Sequence, residues 1–231
     1  MTAVAADRRS AVVDALRTVR DPELDESIVD LGFVTSSTVE GGHADVRLRL
    51  PTYFCAPNFA YLMVADAYDA VRAVPGVEST SIVLEDHFAS DAINSGVAAG
   101  AGFVGSFPEE AGAELGDLRR NFQSKAHVAA MERACRRLLA EGWTIESLPQ
   151  ARLADLPDGT ERERLLRRRA DIDLPLDPES LVLVGDDGAS VASDDAPLRL
   201  RFARTVRVSI DGNAHFCRGL LATRYAAEEM R

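Results

Sequence analysis

Cysteine is scarce in this chain, and lysine is almost missing. Three cysteines occur in 231 residues, Cys55, Cys135 and Cys217. An odd, widely spaced set does not make a disulfide framework. No Cys-x-x-Cys occurs, which argues against a permanent zinc or cluster cage. Lys125 is the only lysine beside 25 arginines, a bias that reads as the codon usage of a GC-rich genome. There is no Gly-x-Gly-x-x-Gly after a strand, no P-loop, no Gly-x-Ser-x-Gly and no His-Glu-x-x-His, so the common nucleotide, hydrolase and metalloprotease signatures are all missing. No apolar run approaches the roughly 18 residues that cross a bilayer. The opening "MTAVAADRRSAVVDAL" has charges where a signal peptide needs its apolar core. The expectation is a cytoplasmic protein, away from membranes, whose thiols are free or metal-bound.

What is present is an ordinary globular composition, 46% hydrophobic and 27% charged, with an uneven net charge of −11. Residues 1–90 carry 7 arginines against 14 acids, and residues 91–114 carry 4 acids and no base. Residues 115–231 balance at 19 of each sign. An acidic front half argues against nucleic acid as a partner, because phosphate binding needs a basic surface.

The periodicities predict an α+β protein. Val12, Val13, Leu16 and Val19 fall on one helical face. "GFVTSSTV" reads as a strand, "EGGH" as a tight turn, and Ala44, Val46, Leu48 and Leu50 alternate with charged residues as a second strand. A helix from Pro57 to about Val74 and the strand "VESTSIVLE" follow. Helix, β-hairpin, helix and strand make a small α/β sandwich over residues 1–87. Residues 88–114, rich in Gly and Ala, read as a linker or flap. Residues 115–231 are expected to form a second α/β domain of unknown fold. It would hold a long helix at 117–140 and a strand-rich stretch through "LVLV", "LRLRFARTVRVSI" and "HFCRGLLATRY". "ERERLLRRR" at 161–169 reads as a solvated basic face.

Two stretches carry candidate chemistry. Cys55 lies where a strand stops and a Pro57-started helix begins; free amides and the helix dipole favour an anion there. Position alone leaves two readings open, a ligating or nucleophilic thiol and a small buried packing residue. Upstream, "RDPELDESIVDLGFV" gathers Asp21, Glu23, Asp25, Glu26 and Asp30 within ten positions. Such carboxylates ligate hard metals or cap turns. His215 and Cys217 form His-x-Cys, which on a strand would point both side chains the same way and suit a soft metal, with ordinary packing as the competing expectation. His87 ends the third strand and comes near Cys55 if the loops fold back. His127 and Cys135 read as part of a buried helical stripe.

Taken together, "DPEL", "IVDLGFV" and a strand ending in Thr-x-x-Cys before a Pro-started helix resemble the small iron–sulfur cluster assembly domain family. That family includes accessory proteins of the bacterial SUF system, a subunit of the eukaryotic cytosolic iron–sulfur targeting complex, and PaaD, the maturation factor of phenylacetyl-CoA oxygenase. The resemblance covers about residues 8–86. It places the family's motif on Asp21, Pro22 and Glu23, on Asp30, Leu31 and Gly32, and on Thr52 and Cys55. Members usually read Thr-Pro-Gly-Cys-Pro; here Tyr53 and Phe54 replace the small turn residues and Ala56 separates Cys55 from Pro57.

The resemblance implies an accessory factor, not a conventional enzyme, that carries iron or an iron–sulfur cluster transiently on Cys55, supported by Asp21, Glu23, Asp30 and Thr52. Implied partners are a client metalloprotein, such as a bacterial multicomponent oxygenase, or a cluster scaffold protein. The C-terminal domain would select the client, and a homodimer stays open. Two alternatives also stand: a cysteine-dependent enzyme with Cys55 as nucleophile and His87 as base, and a non-catalytic adaptor.

Overall fold

Adjacent glycines tolerate the positive φ that a two-residue hairpin turn demands. Gly41 and Gly42 adopt φ of 54° and 87° and join β1 (Val34–Glu40) to β2 (His43–Arg49). The computed structural model describes residues 2–226. Among these, β1 and β2 pair antiparallel from Glu40↔His43 outward, with one irregularity between Val34 and Ser36. β3 (Ser79–Glu85) pairs parallel to β2, so the sheet order is β1-β2-β3.

A parallel pair needs a crossover, which is α2 (Pro57–Arg72). Its Ala60, Met63, Val64, Ala67 and Val71 are buried at helical spacing. They meet the inward side chains of β2, Ala44, Val46 and Leu48, all at most 2% exposed. Val12 and Leu16 of α1 (Thr2–Thr18), both fully buried, enter the same core. Each such aliphatic side chain contributes roughly 1.5–3 kcal/mol of burial. The outward face of the sheet carries an ion-pair ladder, Asp45–Arg47–Glu85–Arg49, with N···O distances of 3.1–3.2 Å. The fold is α+β, and this part is the expected small α/β sandwich.

The stretch read as a linker or flap carries two helices instead, α3 (Ser90–Ala98) and α4 (Gly102–Ser106). Ile93 and Val97 of α3 are buried in the sandwich core. The Asn94 side chain donates to the Leu84 carbonyl and accepts from the Leu84 amide, at 3.0 and 2.9 Å, closing that part of β3's outer edge. α4 crosses α3 at Gly96, where a Cβ would lie 2.6 Å from Ser106 Cβ.

Two compact units emerge: residues 1–116 with 213–231, and residues 117–212. The second holds most of α5 (Gly116–Ala140), two 3₁₀ turns, α6 (Thr160–Ala170) and the first part of α7 (Ala196–Tyr225). His127 and Cys135 lie in its buried stripe. The strands expected through 198–217 are replaced by α7, a single helix of 30 residues, and "LVLV" makes only isolated bridges, at Leu181 and Val184. The basic cluster also differs from a solvated face. Arg168 and Arg169 are 6% and 1% exposed, and Arg169 donates to the carbonyls of Pro175 and Leu181. Two carbonyls thus hold the Arg169 guanidinium in a buried place while its Nε has no hydrogen-bond partner, and burial lowers its proton affinity.

Candidate functional site

The loop from Leu50 to Ala56 links the end of β2 to the start of α2 and carries Cys55. This thiol is free and half-buried, with Thr52 Oγ1 3.1 Å from its sulfur. The helix start differs from a bare anion site. The N-cap residue Ala56 makes no side-chain cap, Pro57 brings no amide hydrogen, and the Phe59 and Ala60 amides both turn back to the Ala56 carbonyl, Phe59 also donating to Asn58 Oδ1 at 2.9 Å. Tyr53 and Phe54 do not crowd the sulfur, since they are 55% and 75% exposed. Tyr53 faces Phe88 with ring centroids 6.3 Å apart.

His87 does approach Cys55, but through the backbone. Its Nε2 lies 2.7 Å from the Cys55 carbonyl and its Nδ1 accepts from the Ala89 amide at 3.2 Å. A carbonyl only accepts, so Nε2 carries the proton and both ring nitrogens are engaged. His87 therefore fixes the loop and offers the sulfur no base. Burial lowers its pKa, partly offset by the bond to Cys55, so the neutral form is favoured.

Cys55 opens on a cavity of about 140 Å³. Asp21, Glu23 and Cys217 share its lining, with Leu50 and Met63 on the apolar side. No basic side chain among the described residues lines it. Asp21 is 8% exposed; its Oδ1 accepts from the Glu23 and Leu24 amides, both at 2.9 Å. Burial outweighs those bonds, and with Glu23 and Glu26 nearby the carboxyl is raised to about 6. Burial likewise pushes the Cys217 thiol up to about 11, helped by the charges of Asp21, Cys55 and Glu23.

Of the other candidates, Asp30 is exposed and outside this lining. His215 and Cys217 do not act together. On the helix they lie about 200° apart, so His215 is exposed while Cys217 packs against the core. Sequence spacing did not bring Cys217 to Cys55, since the two are far apart in the chain. Nor did it indicate Arg224, which donates to the Leu50 and Asp86 carbonyls at 3.0 and 2.6 Å, joining the ends of β2 and β3. Among the described residues no group of three or more His, Cys, Asp or Glu is placed to hold a metal ion, and no helix is long and apolar enough to cross a membrane.

Residues 9–83 match the family described as iron–sulfur cluster assembly protein. An iron–sulfur cluster carrier protein of Synechocystis sp. is 36% identical over 72 residues, which are 31% of this chain and 20% of that carrier. An uncharacterized protein of Methanocaldococcus jannaschii is 32% identical over 84 residues, 36% of this chain and 86% of that protein. The match thus spans about a fifth of the cyanobacterial carrier and most of the archaeal protein.

Proposed function

We propose, from the premise that this chain belongs through residues 9–83 to the iron–sulfur cluster assembly protein family, that it is an accessory factor which takes up iron or an iron–sulfur cluster on Cys55 and hands it to a client metalloprotein. The observation that carries this reading is the half-buried, free Cys55 thiol on a cavity with Asp21 and Glu23 and, among the described residues, no basic side chain. Sulfur is the preferred donor for iron–sulfur cargo. Neighbouring carboxylates favour the cation that a thiolate receives. Thr52 and His87 hold the loop, through the sulfur and the Cys55 carbonyl respectively. A site with fewer thiolates than the four of a closed cluster cage leaves positions for a client's ligands, so the cargo can be exchanged.

The client we favour is a bacterial multicomponent oxygenase, because the motif resembles that of PaaD, and the setting we favour is the cytoplasm. Anaerobic reconstitution with ferrous iron and sulfide tests the reading. Wild type should bind iron stoichiometrically and pass it to an apo-acceptor, and Cys55→Ala should lose both. Equal iron content in the two proteins overturns it.

A further inference from the structure

The fold ends by sending α7 back to the sandwich, and the residues it presents there are specific. Ala214, Cys217 and Leu221 are spaced three and four apart, hence on one helical face, and all three pack against the sandwich core. Polar contacts fix the helix on both sides of Cys217. Asn213 donates to Glu23 Oε1 at 3.2 Å, Arg218 pairs with Glu26, and Arg224 holds the Leu50 carbonyl. Leu221 lies 3.4 Å from where a Cβ on Gly32 would stand, and Gly32 has a φ of +77°, so the Asp-Leu-Gly turn is shaped to receive this helix. The result is that a second free, half-buried thiol joins Cys55 on one cavity.

We propose that Cys217 is a second cargo ligand, so that α7 completes in cis a two-thiol site of which residues 9–83 supply only half. This rests on the assembly reading above and deepens it. The cavity lined by both cysteines is also lined by Asp21 and Glu23 and, among the described residues, by no basic side chain. Two free thiols and two carboxylates thus line one space, Asp21 buried with backbone amides as its partners and Glu23 half-buried beside Asn213. A thiophilic cation is what a pair of free thiols facing one space can hold. Its binding releases the thiol protons, so uptake on two sulfurs frees up to two protons to solvent. Two thiolates chelate more tightly than one and still leave coordination positions for sulfide or for a client.

Cobalt(II), a thiophilic probe whose thiolate charge-transfer absorption grows with the number of bound sulfurs, tests this on the full chain without any client. Wild type should show a two-thiolate band. Cys217→Ala should halve the band and weaken binding by roughly tenfold or more, and Cys55→Ala should do the same or worse. Cys217→Ser, which keeps the volume, controls for loss of helix docking. In parallel, saturating cobalt should protect Cys55 and Cys217 together from alkylation, scored by peptide mass spectrometry, with buried Cys135 unchanged. If Cys217→Ala matches wild type while Cys55→Ala loses binding, the second-ligand proposal falls and the assembly reading survives. If neither substitution alters the band, both fall.

Discussion

His87 donates from Nε2 to the carbonyl of Cys55 at 2.7 Å, so a histidine at the end of β3 sets the backbone of the residue that carries the thiol. Its ring is 3% exposed as a residue, and its other nitrogen receives the Ala89 amide. His87→Ala leaves both backbone groups without partners and should cost about 1–3 kcal/mol, measured by urea denaturation. Metal affinity should fall with it, as the loop gains freedom. A nucleophile–base pair would instead show a loss of thiol alkylation rate with little change in stability.

Asp21 should set a pH dependence of stability near the site. Its carboxyl is raised to about 6 from an unfolded value near 3.9. Between those values the folded chain holds more protons than the unfolded one, so stability falls as pH rises through the window. Asp21→Asn keeps the Oδ1 that accepts the Glu23 and Leu24 amides and removes the buried charge. The variant should be more stable than wild type at pH 7, by up to roughly 3 kcal/mol, and equal to it at pH 4. Cation loading should narrow the gap, because a nearby positive charge stabilises the carboxylate. Urea midpoints across pH 4 to 7.5 decide it.

His127 should produce the opposite slope in the second unit. Burial, with Arg169 and Arg199 beside it, lowers its pKa to about 4, and its Nε2 is buried without a hydrogen-bond partner. Below about 6.5 the unfolded chain takes up a proton that the folded chain refuses until about 4. Stability should therefore drain away as pH falls through that window, by up to roughly 3 kcal/mol. His127→Leu should flatten the profile, read by hydrogen exchange in α5.

Gly96 should be intolerant of any side chain, since a Cβ there would sit 1.8 Å from Ser106 Oγ and 2.6 Å from its Cβ. Gly96→Ala should lower the melting temperature by several degrees, about 1–3 kcal/mol of overpacking. Adding Ser106→Gly removes both clashing atoms and should recover most of the loss. A double variant no better than the single one would show that the crossing is not what Gly96 serves.

The sandwich was legible because its signals are local and strong. β2 alternates over Ala44 to Leu50, Gly41 and Gly42 mark the hairpin, and α2 announces itself with Pro57 and a stripe ending at Val71. The α7 segment misled for a definable reason. Leu198, Leu200, Phe202, Val206 and Val208 repeat every second residue or nearly so and imitate a strand, yet Leu198, Phe202 and Val208 are 51–65% exposed. Its buried face runs through Ala203, Ile210 and Ala214, where small residues carry the helical period and large exposed ones hide it. The same weakness concealed α3, whose inward residues Ile93 and Val97 are diluted by Ala, Ser and Gly. At the site, the motif residues Thr52, Cys55, Asp21 and Glu23 could be named from sequence, and the structure brings all but Thr52 to one cavity. Cys217 could not be placed there, because its position depends on where a distant helix docks.

The bond pair between Asn94 and Leu84 has a consequence for how the sheet can grow. A neighbouring strand adds to a sheet by claiming unpaired backbone donors and acceptors along an edge. On the β3 side it would meet α3, and the donor and acceptor of Leu84 are already matched by one side-chain amide. Asn94 thus mimics a peptide unit of the strand that would otherwise come next, and extension of the sheet across Leu84 requires α3 to lift away first.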